Sequence, residues 1–125
     1  MTRIYLAAQY SRHEEMLGYA EQLRARGHTV TSRWIKGEHE DPKDDPEISA
    51  KYAMEDVEDM EAAEALVFFS NDDKKSRGRG GRHVEFGIAL ATEMDIAIIG
   101  PRENVFHHLP FVAHFDTWEE FLEQV

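Results

Sequence analysis

The stretch Gly78-Arg79-Gly80-Gly81-Arg82-His83-Val84-Glu85-Phe86-Gly87 contains the residue types in this chain best placed to do chemistry. Glycines at 78, 80 and 81 let a backbone approach a ligand closely. The apolar helical pattern after them offers unpaired N–H groups and the positive end of a helix dipole. Five basic residues, Lys74, Lys75, Arg77, Arg79 and Arg82, fall within residues 74–82 of a chain whose formal charge is -11. Such a local concentration of cations suits a phosphate or carboxylate ligand. The stretch is neither a Walker A loop nor the dinucleotide fingerprint, because no Gly-Lys-Ser/Thr follows and the glycines come after the third strand-like run rather than the first. Glu85, expected within the first turn or so of the helix, would be held ionised there by the dipole, as a nucleophile or general base requires. The plain alternatives are a solvated loop and a carboxylate that merely complements a helix N-terminus.

Three other places carry polar groups with the same two readings. Tyr5 lies inside the first apolar run, either as a core aromatic or with its hydroxyl reaching a carboxylate. Asp56 sits among Glu55, Glu58, Asp59 and Glu61, which reads cheaply as a solvated acidic helix face. It nevertheless borders the apolar stripe, one turn from both Tyr52 and Met60, whereas Asp59 is less well placed. The adjacent His107 and His108 lack a third ligand at sensible spacing, so no metal is expected.

The rest of the chain must position these groups. Its 125 residues suit one compact domain, and 42% apolar residues are enough for a packed core. The acidic balance argues against binding a nucleic-acid polymer and leaves room for a small anionic substrate in a locally basic pocket. With no cysteine, disulfides and thiolate zinc sites are excluded. The N-terminal apolar run is too short for a signal peptide and no stretch approaches a membrane span, so the expectation is a cytoplasmic protein without membrane contact.

Residues 3–8 read as a buried strand. Ser11, with Glu14 three residues on, is the expected cap of a helix carrying Met16, Leu17, Ala20 and Leu23, and Gly27 its stop. Residues 28–35, HTVTSRWI, alternate like a second strand, and 36–47 form a polar loop. A helix is expected from about Ile48 to Ala63 with Ile48, Tyr52, Ala53, Val57, Met60 and Ala63 on its buried face. Strand 65–70, a loop, a helix over 82–94, strand 95–100, a short strand at 112–115 and a helix opened by Asp116 or Thr117 complete the chain. This alternation predicts an α/β fold, a single doubly wound domain with a parallel five-stranded sheet in a flavodoxin-like or Rossmann-like three-layer sandwich. In such folds ligands bind beyond the C-terminal strand ends, which places 7–12, 35–47, 70–82 and 100–110 around one crevice.

The chain resembles the nucleoside 2-deoxyribosyltransferase superfamily, including the 2'-deoxynucleoside 5'-monophosphate N-glycosidases. The resemblance rests on the strand Ile4-Tyr5-Leu6-Ala7-Ala8 with the polar loop Gln9-Tyr10-Ser11-Arg12 after it. It rests also on the helix end Asp56-Val57-Glu58-Asp59-Met60-Glu61-Ala62-Ala63-Glu64 entering ALVFF, and on the glycine loop leading to Val84-Glu85-Phe86-Gly87. It implies that Glu85 is the nucleophile at the anomeric carbon, that Tyr5 orients it, and that Asp56 assists departure of the base. Ala7, Gln9, Arg12, Arg79, Gly81, Arg82 and His108 are then the candidate substrate contacts. The transferases typically carry an aspartate six residues before the nucleophile and the monophosphate hydrolases a serine; Arg79 stands there instead, which favours a nucleotide over a free nucleoside. The resemblance further implies a homodimer or larger homo-oligomer, and no cofactor.

The resemblance thus implies cleavage of the N-glycosidic bond of a nucleoside 5'-monophosphate, with water or, in a deoxyribosyltransferase, a second base resolving the intermediate; two other readings compete. A phosphoribohydrolase of the lysine-decarboxylase-like type also leads a glycine loop to a glutamate, but its proline and threonine are missing here. A nucleotide-binding sensor would keep the basic loop and have no need of Glu85.

Overall fold

The computed structural model describes residues 1–71 and 80–125. Five parallel strands lie in the order β2-β1-β3-β4-β5, the flavodoxin-like one of the two orders that the alternation leaves open. They are β1 (Arg3–Ala7), β2 (Thr29–Val30), β3 (Ala65–Phe69), β4 (Asp95–Ile99) and β5 (Ala113–Phe115). Between and after them come α1 (His13–Ala25), α2 (Pro46–Glu61), α3 (Gly81–Ala91) and α4 (Trp118–Gln124). β1, β3 and β4 are buried along nearly their whole length, as continuous apolar strands covered on both faces must be. Tyr5 pairs with Leu66 and Phe68 with Ile98, so the central ladder is fixed in register. One helical layer joins α1 to α4, where Trp118 Nε1 donates to Gln22 at 2.6 Å and Arg26 to the carbonyl of Leu122 at 2.7 Å.

Residues 28–35 depart from expectation. β2 ends at Val30, and residues 33–36 form a turn of 3-10 helix. Beyond β2, the backbone of Leu6 finds side chains in place of a ladder partner: Ser32 Oγ accepts its N–H at 3.1 Å, and Trp34 Nε1 donates to its carbonyl at 2.8 Å. Extended pairing is therefore unnecessary, and Trp34 and Ile35 turn into the core. Gly37, at φ 72°, ends the turn.

The first helix also begins differently. Ser11 lies in a 3-10 turn over Tyr10–Arg12, and α1 starts at His13 with no side-chain cap. Its end is as the sequence predicts: Gly27 N–H bonds Arg24 and His28 N–H bonds Leu23, the paired closure of a Schellman motif. α2 starts two residues early because Asp45 caps it, accepting from Glu47 N–H at 2.9 Å, with Pro46 in the first turn. Its apolar stripe is not a buried face. Only Met60 of the six expected residues is fully buried, and Ile48, Ala53 and Val57 remain exposed.

Candidate active site

A cavity of about 600 Å³ lies at the C-terminal end of β1, between the turn at 10–12, α2 and the start of α3. This is why the α2 stripe is open: Ala53, Val57 and Met60 line the cavity together with Val84 and Ile88 of α3. Glu85 and Asp56 are its two carboxylates, and Arg82 and His39 its basic side chains among the described residues.

Tyr5 projects from the buried centre of β1 and donates its hydroxyl to Glu85 Oε2. Glu85 is the fifth residue of α3, not a first-turn residue, because the helix opens at Gly81 behind Gly80 at φ 87°. Burial works against the ionised form that the helix dipole was expected to favour. Burial dominates and pushes the carboxyl up to about 8; Tyr5's hydrogen bond pulls down, and the negative charge of Asp56 pushes up. Burial likewise lifts Asp56 to about 6, against the pull of His39, and its Oδ1 is buried without a hydrogen-bond partner among the described residues. Tyr5 itself is raised, by burial first and then by Glu85, so its hydroxyl stays a donor. Two half-buried carboxyls, both raised and with separated proton affinities, thus face one cavity.

Asp59, the neighbour that the stripe argument set aside, is structural. Its carboxylate accepts from Arg33 Nε and from Arg33 N–H, both at 2.8 Å, tying α2 to the turn after β2.

The expected substrate contacts fall in different places. Gln9, Gly81 and Arg82 line the cavity. Ala7 is wholly buried in β1, paired to Phe68. Arg79 lies outside the described residues. Arg82 stacks over the Phe68 ring and forks onto Glu103 at 2.5 and 2.8 Å. Arg12 pairs with Glu15 at 2.7 Å, donates to the carbonyl of Ser70, and lines a second cavity of about 380 Å³ with Phe69, Gly100 and Trp118. Among the described residues, those expected around one crevice at the strand ends divide between these two cavities. Residues 100–110 do not line the one that holds Glu85, and His108 is exposed on a 3-10 turn. Its neighbour His107 is buried against Phe68 and Phe86, accepting Glu103 N–H at Nδ1, and burial lowers it to about 4.

Sequence reasoning missed Tyr10, Trp34 and His39, which line the same cavity. The His39 ring stacks on Tyr52 at 3.9 Å and faces Tyr10 at 5.9 Å, with its Nε2 at 3.3 Å from Glu55. The one available signal was a lone histidine ring in an otherwise polar 36–47 loop.

No protein-family model and no curated protein matches the chain. Among solved structures, a 2-deoxyribosyltransferase from Bacillus psychrosaccharolyticus superposes with a TM-score of 0.74 at 19% identity, covering 96% of this chain and 90% of that one. A CMP N-glycosidase from Clostridium botulinum superposes with a TM-score of 0.65 at 17% identity, covering 98% and 96%. The chain shares its fold with these two proteins over nearly its whole length.

Proposed function

We propose that this protein is an enzyme that cleaves the N-glycosidic bond of a nucleoside or deoxynucleoside 5'-monophosphate. The observation that carries the reading is the Tyr5 hydroxyl bound to Glu85 Oε2 in a cavity that also holds Asp56. Cleavage of an N-glycosidic bond passes through an oxocarbenium-like state, which needs an anion beneath the sugar and a proton for the departing base. Glu85, ionised, attacks the anomeric carbon as the C–N bond breaks, and the bond's electron pair leaves with the base. Asp56, protonated, gives that base its proton. Water then adds to the anomeric carbon, displaces Glu85 as a carboxylate and returns a proton to Asp56. Tyr5 holds Glu85 with one oxygen occupied, leaving the other for attack.

Support for the 5'-phosphate comes from Arg82 and the first N–H groups of α3 at the cavity wall, beside a sequence dense in Lys and Arg. The two fold neighbours, one named for 2-deoxyribosyl transfer and one for CMP N-glycoside cleavage, bracket this chemistry. The reading extends to a homo-oligomer in the cytoplasm, for which exposed Val84, Phe106 and Phe111 offer apolar surface.

The test is base release from matched ribo- and deoxyribonucleosides and their 5'-monophosphates, by wild type and Glu85→Gln. Release from monophosphates by wild type alone is expected. Release only with a second base present would make the enzyme a transferase. No release by either protein, with nucleotide still bound, would leave the sensor reading.

A further inference from the structure

Residues 37–45, Gly-Glu-His-Glu-Asp-Pro-Lys-Asp-Asp, carry five acids and one lysine. They run beside α2, whose own Glu47, Glu55, Asp56, Glu58, Asp59 and Glu61 are acidic too. Charge therefore works against this segment lying where it does. It belongs to no helix or strand, and Lys43 and Asp44 hold positive φ angles of 48° and 66°. What places its cavity-facing end is a pair of tyrosines. The Tyr10 hydroxyl donates to the His39 carbonyl and accepts the His39 N–H, both at 3.0 Å, satisfying both backbone groups of one residue. The Tyr52 hydroxyl accepts the Glu40 N–H at 2.9 Å. Both rings stack with the His39 imidazole, at interplanar angles of 2° and 14°.

We infer that Tyr10 and Tyr52 are positioning residues: together they latch the 37–45 segment so that the His39 ring stays in the cavity wall beside Asp56. This rests on the glycosidase reading for its consequence, not for its geometry. Asp56 faces Glu85 from α3, Tyr5 from β1, Arg33 from the turn after β2, and Glu55 and Asp59 from its own helix. His39 is the group in that surround brought by the 37–45 segment, whose far end is fixed at Asp45 by the α2 cap and whose His39 ring also meets Glu55, Nε2 to Oε1 at 3.3 Å. Held close, it opposes the burial that raises Asp56. Released, it leaves Asp56 with a higher proton affinity, because the remaining carboxylates outnumber Arg33.

The test uses ring-preserving variants, Tyr10→Phe, Tyr52→Phe and the double variant, with two readouts. Residue-resolved amide hydrogen exchange should quicken about five- to tenfold at His39 in Tyr10→Phe and at Glu40 in Tyr52→Phe, the factor expected for one lost hydrogen bond. Amides in β3 and the middle of α1 should be unchanged. In the pH profile of base release, the acid-side limb set by Asp56 should move to higher pH in the double variant. Exchange at His39 and Glu40 equal to wild type, or quickened equally throughout the chain, would overturn the latch whatever the activity. Local quickening with an unmoved limb would overturn the link to Asp56. A wild type that releases no base would instead remove the glycosidase reading and leave the exchange result to decide the latch.

Discussion

Replacing Tyr5 by Phe removes one hydroxyl from a buried position and leaves the ring that fills it. The hydroxyl's bond to Glu85 Oε2 favours the ionised carboxylate. A hydrogen bond to a charged group contributes about 1.5–3 kcal/mol, so its loss should raise Glu85 by about one to two pK units above its starting value of about 8. The productive form needs Glu85 ionised and Asp56 protonated, yet their values of about 8 and about 6 stand in the reverse order. At pH 7 roughly a tenth of each group is in its working state, so about 1% of the free enzyme is productive. Below pH 6 the ionised fraction of Glu85 falls. Above pH 8 Glu85 is ionised, and the rate falls because Asp56 loses its proton. The alkaline limb therefore reports Glu85. In Tyr5→Phe the rate at pH 7 should drop about ten- to a hundredfold, with the alkaline limb moved up by the same one to two units and the acid limb still near 6. The assay is kcat/KM for base release from pH 5 to 10, with a wild-type profile alongside. A uniform loss at all pH values, with the alkaline limb where wild type has it, would refute this reasoning and leave Tyr5 a packing residue.

Glu85→Gln should stabilise the fold increasingly as pH rises from 4.5 towards 8. In that window the folded state keeps a proton on Glu85 that the unfolded chain has lost, so wild-type stability declines with pH and the glutamine protein lacks that decline; thermal melts at pH 5 and 8 compare them. Asp59→Asn should cost about 1–3 kcal/mol through its bonds to Arg33 and move the acid limb to lower pH, because the Asp59 charge helps to raise Asp56, whereas Asp56→Asn should remove the limb near 6 with little loss of melting temperature. Gly37→Ala places a Cβ 2.4 Å from the His13 ring at φ 72°, and should lower stability by about 1–3 kcal/mol in a denaturant titration. Glu103→Gln should free the Arg82 fork and lower KM for monophosphates several-fold, with matched nucleosides unchanged; equal shifts for both would show that the pair serves only to anchor α3.

The strands that the sequence showed clearly were those whose burial is complete. Residues 65–69 and 95–99 are apolar at every position but the first or so, and no side-chain chemistry competes with their ladders. Residues 28–35 have the same β-branched and aromatic content, but Ser32 and Trp34 carry the groups that satisfy Leu6 in place of a strand. That substitution is tertiary, between residues 26 and 28 positions apart, and no local pattern encodes it. The apolar spacing of α2 was also real and its meaning was not visible: a helix face that lines a cavity and one that enters the core have the same period. Glu85, Tyr5 and Asp56 were legible as candidates because a strand, a helix and a glycine turn each fix one of them. Tyr10, His39 and Tyr52 were not, since only a loop path brings positions 10, 39 and 52 to one stack.

The position of Glu85 within α3 suits the chemistry proposed for it. A first-turn glutamate would be ionised cheaply and would bind any cation or donor in the ground state. At the fifth residue of α3, bonded to the Tyr5 hydroxyl and facing Asp56, the carboxylate is costly to ionise. In the proposed reaction much of that cost falls away only when positive charge develops on the sugar ring beside it. The interaction is then greater in the transition state than with substrate, which is the condition for raising kcat rather than merely lowering KM. A surface carboxylate on the same helix could not meet it.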